Sequence, residues 1–216
     1  MLNYAAIVRN VTKLGTQPRN ILEIGSRDGD DAEKLRSTFK IPNDKVYIVE
    51  PNPDQLPKIR HAYPQATLFD FAVSNKNGTA VFNKVTQKNS KGFIGTSSLM
   101  ARPDFYAGKA EQIEVDIKTG EYLLSQIEDK QIDLCKIDVE GHTFEVLEGF
   151  GNAIHRINTF HIESEHVAKW QGQKLYSVNK AFLESMGYIQ ILFMYVGGGV
   201  IQSDSVWAKR SILKGN

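Results

Sequence analysis

One segment near the start of the chain constrains the fold more than any other. Residues 20–29 read Asn-Ile-Leu-Glu-Ile-Gly-Ser-Arg-Asp-Gly, a short apolar run that ends in an acid and two glycines. This pattern is typical of a buried strand, a tight turn and the start of a helix. A second apolar run, residues 46–49, leads into Glu50 and Pro51. The two runs predict neighbouring parallel strands, and the acid after the second can accept hydrogen bonds from both hydroxyls of a ribose.

The glycine turn narrows the kind of nucleoside expected there. A dinucleotide site favours Gly-x-Gly-x-x-Gly, because the second glycine lets the backbone approach a pyrophosphate. Here Arg27 stands two positions after Gly25, and the next glycine is Gly29. Glu23 lies beside the turn, where it would repel a pyrophosphate and attract a cation. S-adenosylmethionine carries a sulfonium, an ammonium and no phosphate, so it suits this turn better than NAD. The pattern resembles the first motif of class I methyltransferases; the alternative is an ordinary strand–turn–helix junction.

Length and composition restrict the class of protein. The chain of 216 residues fits one sizeable domain with a core, and no linker divides residues 1–216. Its 26 basic and 25 acidic residues argue against a generally basic surface for nucleic acid. No apolar run approaches the roughly 20 residues that span a bilayer, and no signal peptide is recognisable. The single cysteine, Cys135, lies in an apolar run and is interpreted as a core residue. We therefore expect a cytoplasmic protein.

Strand and helix patterns alternate along the chain, which predicts a doubly wound, mostly parallel α/β sheet. Asn77-Gly78 predicts a small hairpin insertion, and the end of the chain predicts an antiparallel hairpin around three glycines. The predicted strands cover about residues 20–25, 45–50, 66–73, 111–117, 132–139, 159–163, 188–196 and 200–208. The predicted helices cover about residues 30–39, 54–62, 120–127, 142–150 and 175–186.

Residues 84–109 form a long irregular stretch that contains glycines, a proline and the aromatic residues Phe93, Phe105 and Tyr106. Loops of this length without regular structure are usually either functional or disordered. Two interpretations stay open. The stretch is either a mobile surface loop or a flexible lid that closes on the substrate with its aromatic side chains facing the site.

Charged residues interrupt the apolar run before Gly141. Lys136, Asp138 and Glu140 occupy alternate positions, so they share one face of a predicted buried strand. Charges on a central strand need partners or a site. They are either a self-satisfied Lys–Asp pair that braces a loop, or a ligand site at the carboxyl end of the strand.

This run carries the clearest resemblance to a known family. Lys-Ile-Asp-Val-Glu-Gly at residues 136–141, with Glu-Val-Leu-Glu-Gly at residues 145–149, is similar to the FkbM family of S-adenosylmethionine-dependent O-methyltransferases. Val-Glu-Pro at residues 49–51 and Ala-Val-Ser at residues 72–74 are also similar, so the resemblance covers about residues 20–165. It implies the Rossmann-like, seven-stranded class I methyltransferase fold. It also implies methyl transfer to a hydroxyl oxygen, since members act on sugars or polyketides.

The expected site residues lie at the carboxyl ends of the strands. Glu50 is expected to bind the ribose, and Asp70 or Phe71 to face the adenine. An alcohol is a poor nucleophile until it loses its proton, so a base or a metal is expected. The cofactor candidates are Glu23, Gly25, Ser26, Arg27, Gly29, Glu50, Pro51, Asp70, Phe71 and Asp138. The catalytic candidates are Lys136, Asp138, Glu140, Glu163 and His166, with His142 and His161 nearby in sequence.

A divalent cation is left open. Asp138 or Glu140, with Glu163 and His166, supplies oxygen and nitrogen ligands, but their spacing matches no established metal motif. The expected partner is a small-molecule or glycan acceptor with a free hydroxyl. Trp170 and Tyr176 either line its pocket or only pack in the core. The rival functions are a non-catalytic binding or assembly protein that retains the fold, and an NAD(P)-binding Rossmann enzyme, which Arg27 in the glycine turn disfavours.

Overall fold

The computed structural model describes residues 7, 10, 11, 13, 17–85, 94–102, 110–196 and 199–213. The strands are β1 (Ile21–Ile24), β2 (Val46–Val49), β3 (Thr67–Phe69), β4 (Ala72–Ser74), β5 (Gly78–Val85), β6 (Ala110–Thr119), β7 (Leu134–Ile137), β8 (Thr159–Glu165), β9 (Tyr188–Val196) and β10 (Gln202–Lys209). The α-helices are α1 (Asp30–Phe39), α2 (Leu56–Ala62), α3 (Gly120–Ser125), α4 (Thr143–Gly149) and α5 (Tyr176–Ser185).

Seven strands form the large sheet, in the order β3-β2-β1-β7-β8-β10-β9. Neighbours from β3 to β8 are parallel, and β10 is antiparallel to both β8 and β9. The expected seven-stranded, mostly parallel sheet with an antiparallel C-terminal hairpin is therefore confirmed. Because parallel strands end at the same edge, the residues that follow β1, β2 and β7 meet there.

Both faces of the large sheet are covered, which explains the unbroken apolar runs in its strands. All four residues of β1 are buried. Ile21 belongs to a core cluster with Leu35 of α1, whereas Leu22 belongs to a second cluster with Leu147 of α4 and Phe160. Each fully buried aliphatic side chain of this kind contributes about 1.5–3 kcal/mol of hydrophobic stabilisation.

Helix α1 begins where its sequence predicts. Gly29 is the N-cap with a positive φ of 83°, and Asp30, Asp31 and Glu33 lie in the first turn, where they complement the helix dipole. The helix faces the sheet with Ala32, Leu35 and Phe39, which are all buried.

The predicted strand at residues 66–73 is wrong in one respect, because the structure divides it between two sheets. Strand β3 pairs with β2 in the large sheet, whereas β4 pairs with β6 in a three-stranded sheet of order β4-β6-β5. The break falls at residues 70 and 71. An apolar run does not specify which partner each half will find, so sequence periodicity gave a single strand.

The hairpin predicted at Asn77-Gly78 is also corrected. The strands on either side of this turn do not pair with each other, because β6 lies between them, parallel to β4 and antiparallel to β5. The Asn77 side chain instead accepts a hydrogen bond from the backbone N–H of Thr119, at the end of β6 (2.9 Å). The turn therefore binds the end of β6, which lies about forty residues later in the sequence. Among the residues described above, no helix is both long and apolar enough to cross a membrane.

Candidate active site

Two adjoining clefts open at the carboxyl edge of the large sheet. The Glu50 cleft has about 600 Å³ of open space, and its lining includes the ends of β1 and β2, with Phe71, Phe82 and Leu99. The carboxylate cleft has about 820 Å³, and its lining includes Asp28, Asp31, Lys136 and Glu163. The two clefts share five lining residues: Gly25, Arg27, Gly95, Asp138 and Glu140.

Glu50 lies in the wall of the first cleft and is 5% exposed. Its Oε2 accepts a hydrogen bond from the backbone N–H of Arg27 (2.7 Å), and its Oε1 accepts one from the N–H of Asn52 (2.8 Å). Burial raises the pKa of Glu50 to about 7, although these two bonds favour the charged form. Each carboxylate oxygen has a further lone pair, so Glu50 can still accept hydrogen bonds from a ligand.

Gly25 is required because β1 and β7 end in close contact. Its φ is +82°, and a Cβ atom added there would lie 2.0 Å from the carbonyl oxygen of Asp138. Gly29 is required for a different reason, since an added Cβ would lie 2.4 Å from the ring of Tyr63. Gly29 lines neither of the two clefts, but it does line a separate cleft with Ala32 and Tyr63.

Lys136 is enclosed by acids. Its ammonium nitrogen lies 2.9 Å from Asp31, 3.0 Å from Asp138 and 3.5 Å from Glu23, and its side chain is 3% exposed. Burial opposes the charge, but these acids outweigh it and raise the pKa of Lys136 well above its usual value. Register explains the contact with Glu23, because β1 and β7 pair Glu23 with Lys136.

Glu23 supports the glycine turn from beneath. It is fully buried, accepts a hydrogen bond from Ser26 and lines neither cleft. Burial raises the pKa of Glu23 to about 7, against the charge of Lys136. Ser26, by contrast, borders the carboxylate cleft.

Three carboxyl groups converge in the second cleft. Asp138, Glu140 and Glu163 each present an oxygen, and these atoms lie within 4.8 Å of one another. Burial, followed by the charge of Asp138, raises the pKa of Glu163 well above its usual value and that of Glu140 to about 8. Burial also opposes ionisation of Asp138, but the charge and hydrogen bond of Lys136 lower its pKa. Oxygen ligands at this spacing suit a hard divalent cation, so these are the residues that can hold a metal.

The backbone around Glu140 is unusual. Glu140 has a φ of +47°, a conformation that is uncommon for residues other than glycine. The hydroxyl of Ser98 donates to its carbonyl oxygen (2.6 Å). The next residue, Gly141, has no room for a Cβ, which would lie 2.8 Å from the ring of Trp170. The surrounding structure therefore holds Glu140 in a strained conformation, as often occurs at functional sites.

The structure brings most of the expected site residues together but leaves four outside both clefts: Glu23 and Gly29, described above, and Asp70 and His166. Asp70 is exposed and lies 3.9 Å from Arg60, whereas the neighbouring Phe71 is buried in the Glu50 cleft wall. His166 bonds to the hydroxyl of Ser203 (2.8 Å) and packs against the ring of Tyr176. His166 follows Glu165, the last residue of β8, and lines neither cleft, whereas Glu163 lies within the strand and lines the carboxylate cleft. The structure thus separates His166 from the carboxyl cluster.

The other candidates have individual surroundings. Pro51 and His142 line the Glu50 cleft, and His142 lies 3.0 Å from the hydroxyl of Ser74. Burial lowers the pKa of His142 to about 4, so its ring is neutral at pH 7. His161 is buried outside the clefts and bonds to Asp204 (2.9 Å). Trp170 is buried and lines neither cleft.

Sequence reasoning missed part of the cleft wall. Asn52 and Gln55 line the Glu50 cleft, as do Gly95 and residues 97–99. Asn52 had a weak signal, since it follows the predicted ribose-binding acid closely. Residues 97–99 belong to the stretch predicted as a lid or a mobile loop, and residues 94–102 are its described central part. Residues 86–93 and 103–109, with Phe93, Phe105 and Tyr106, lie outside the described residues.

The sheet order and the cleft at its carboxyl edge define the class I methyltransferase fold, and solved structures support this. The methyltransferase FkbM from Methylobacillus flagellatus KT matches 89% of this chain with a TM-score of 0.56 and 13% identity, but the match spans only 44% of that protein. The magnesium protoporphyrin IX methyltransferase of Synechocystis PCC 6803, solved with bound SAM, matches 95% of this chain and 77% of its own (TM-score 0.54, 10% identity). TrmK of M. capricolum, in complex with S-adenosyl-homocysteine, matches 97% of this chain and 69% of its own (TM-score 0.52, 14% identity).

The chain belongs to the FkbM methyltransferase family. The family described as "Methyltransferase FkbM domain" matches residues 23–189, which is more than half of the chain. The resemblance inferred from residues 136–149 is thereby confirmed. No curated protein matches the chain.

Proposed function

We propose that this chain transfers a methyl group from S-adenosylmethionine to a hydroxyl oxygen of a carbohydrate or another natural product. The observation that carries the proposal is the junction of the two clefts. A cleft with a buried acid at the end of β2 opens, through Asp138, into a cleft with three convergent carboxyl groups. The first suits a nucleoside, and the second suits removal of a proton from an acceptor.

The Glu50 cleft fits the nucleoside part of the cofactor. Glu50 keeps acceptor capacity for the ribose hydroxyls, as an acid at this position of a doubly wound sheet commonly does. The apolar side chains of Phe71, Phe82 and Leu99 line the same cleft and suit the faces of an adenine ring. Of Asp70 and Phe71, the two alternatives expected to face the adenine, Asp70 lies outside this cleft, so we assign that contact to Phe71.

The carboxyl cluster suits the chemistry of a hydroxyl acceptor. When bound, S-adenosylmethionine supplies a methyl group that is activated for transfer by its positive sulfur. The protein has to orient the acceptor oxygen and take its proton. The lowered pKa of Asp138 favours its charged form, which can accept that proton, whereas the raised pKa of Glu163 favours its protonated form, which can donate a hydrogen bond to Asp138. Lys136 holds Asp138 in place from below.

The first test is calorimetric titration of the purified chain with S-adenosylhomocysteine, with NAD as the comparison. We expect micromolar affinity for S-adenosylhomocysteine and no binding of NAD, because the turn offers an arginine where a pyrophosphate needs a glycine. Binding of NAD alone would overturn the proposal. Binding of neither ligand by the folded chain would favour a non-catalytic protein that retains the fold.

The second test concerns the acceptor. The chain is incubated with S-adenosylmethionine carrying a labelled methyl group and a panel of oligosaccharides and hydroxylated natural products, and products are identified by mass spectrometry. We expect an O-methylated product, and we expect Glu163→Gln to reduce its formation while S-adenosylhomocysteine still binds. A methylated nitrogen or carbon in place of oxygen would contradict the proposed chemistry. Reactions with and without added Mg²⁺ show whether the carboxyl cluster uses a cation.

A further inference from the structure

Arg27 lies at the junction of the two clefts and has an unusual backbone conformation. It is one of three non-glycine residues with a positive φ (58°) among the described residues, and it lines both clefts. Its Nε and Nη2 lie 3.0 Å and 2.9 Å from Oδ2 of Asp28. Its Nη1 lies on the side of Gly95, 3.4 Å from where a Cβ of that glycine would stand. The guanidinium is therefore held beside the cleft by the glycine turn.

The other strongly basic side chain in the described lining of these clefts cannot take a new anion. Lys136 is 3% exposed and already contacts Glu23, Asp31 and Asp138. Arg27, by contrast, has a side chain that is 53% exposed and a single acid within ion-pair distance. A planar guanidinium carries five N–H donors, so Arg27 can keep its bond to Asp28 and still bind a second carboxylate.

S-adenosylmethionine and S-adenosylhomocysteine each carry one carboxylate, at the amino-acid end of the molecule. We propose that Arg27 binds this α-carboxylate and so fixes the amino-acid end of the cofactor. The inference rests on the proposed function. It also explains why a cationic residue stands in a turn that favours a cationic ligand: the guanidinium pairs with the one anionic group of that ligand.

The geometry allows this role to be separated from that of Glu50. The bond from Arg27 to Glu50 comes from the backbone N–H, so replacement of the Arg27 side chain leaves it in place. Arg27→Gln keeps a polar side chain, although a shorter one, and removes its charge. Arg27→Lys keeps the charge and removes the planar fork, which matters for paired hydrogen bonds to a carboxylate.

The experiment compares two ligands by calorimetry: S-adenosylhomocysteine, and 5′-methylthioadenosine, which lacks the carboxylate and the ammonium. Arg27→Gln should weaken S-adenosylhomocysteine binding by about 10- to 100-fold, the usual effect of losing a hydrogen bond to a charged group. Affinity for 5′-methylthioadenosine should change by less than about twofold, and Arg27→Lys should give an intermediate loss for S-adenosylhomocysteine.

Arg19→Gln is the matched control, because Arg19 pairs with Asp133 far from either cleft and should leave both affinities unchanged. Circular dichroism establishes that each variant is folded. An equal loss for both ligands in Arg27→Gln, or no loss for either, overturns the role of Arg27. Failure of the unaltered chain to bind either ligand overturns instead the proposed function, so the two failures are distinguishable.

Discussion

Acidic residues at the two edges of the large sheet have pKa values that are shifted in opposite directions. At the amino edge, where the parallel strands begin, Asp129 accepts hydrogen bonds from Lys45, Tyr47 and Asn20 at 2.8–2.9 Å. Burial opposes ionisation, but these partners lower the pKa of Asp129. At the carboxyl edge, Glu140 and Glu163 crowd against Asp138, and burial and that charge raise their pKa values.

The difference separates a structural role from a functional one. At the amino edge each acid has its own donors, which is what stability alone requires. At the carboxyl edge like charges converge on open space, an arrangement that lowers stability and is typical of sites that move protons or bind cations. Lys136 combines both features, because it lies at the carboxyl edge and yet is a buried charge with three acidic partners of its own.

The largest effect is expected from Lys136→Met. Removal of the ammonium leaves Glu23, Asp31 and Asp138 without their shared counter-charge, and breaking a buried pair in this way usually costs about 3–5 kcal/mol of unfolding free energy. Chemical denaturation of the variant and the unaltered chain measures the loss. A change below about 1 kcal/mol, typical of an exposed ion pair, would mean that Lys136 does not act as a buried counter-charge.

The second-largest effect is expected on the affinity for the cofactor product. Glu50→Ala should weaken S-adenosylhomocysteine binding by about 100-fold, because hydrogen bonds to a charged group are worth about 1.5–3 kcal/mol each. Calorimetry measures it, and Glu50→Gln, which keeps one acceptor oxygen, should lose less. Unchanged affinity in Glu50→Ala would remove the role assigned to this residue.

Glu140→Gln, unlike Lys136→Met, should raise the free energy of unfolding, and the gain should depend on pH. The pKa of Glu140 is about 8 in the fold and about 4.3 in an unfolded chain, so between these values the folded state holds a proton that the unfolded state has lost. The free energy of unfolding therefore falls as pH rises across this window. The glutamine variant does not titrate and should be more stable than the unaltered chain.

Thermal unfolding checks this at about pH 5 and about pH 8.5, and the stabilisation by Glu140→Gln should be larger at the higher pH. At the amino edge, the contribution of Asp133 to stability changes with pH in the opposite direction. Its pKa is lowered by Arg19 and Asn158 although burial opposes ionisation, so its stabilisation is present at neutral pH and is lost as pH falls through that lowered value. A stabilisation by Glu140→Gln that is independent of pH would show that Glu140 titrates normally.

The smallest effect is expected from Arg19→Gln. The Arg19 side chain is 77% exposed, although that of Asp133 is only 11% exposed, so solvent screens the pair from the side of Arg19. The loss should be about 0.2–1 kcal/mol and should shrink in high salt. Chemical denaturation at low and high ionic strength measures it. A loss as large as that of Lys136→Met would mean that the two edges do not differ as described.

Local sequence signals predicted much of this contrast. Helix α1 has the predicted bounds, because Gly29, the acids of the first turn and the spacing of Leu35 and Phe39 all act within one helix. The acid after β2 and the alternating charges of residues 136–140 were readable for the same reason. Strand β4 was not separable from β3, since its partner β6 begins about forty residues later.

The sequence by itself determined the alternation of strands and helices, the glycine turn and the family, because these depend on residues close together in the chain. The tertiary structure alone decided that Lys136 contacts Asp31, that Ser98 bonds to Glu140, and that His166 lies apart from the carboxyl cluster. Each of these depends on strand register or on contacts between segments that are far apart in the sequence. The raised pKa values of Glu140 and Glu163 have the same origin, since burial and crowding arise only when separate strand ends meet.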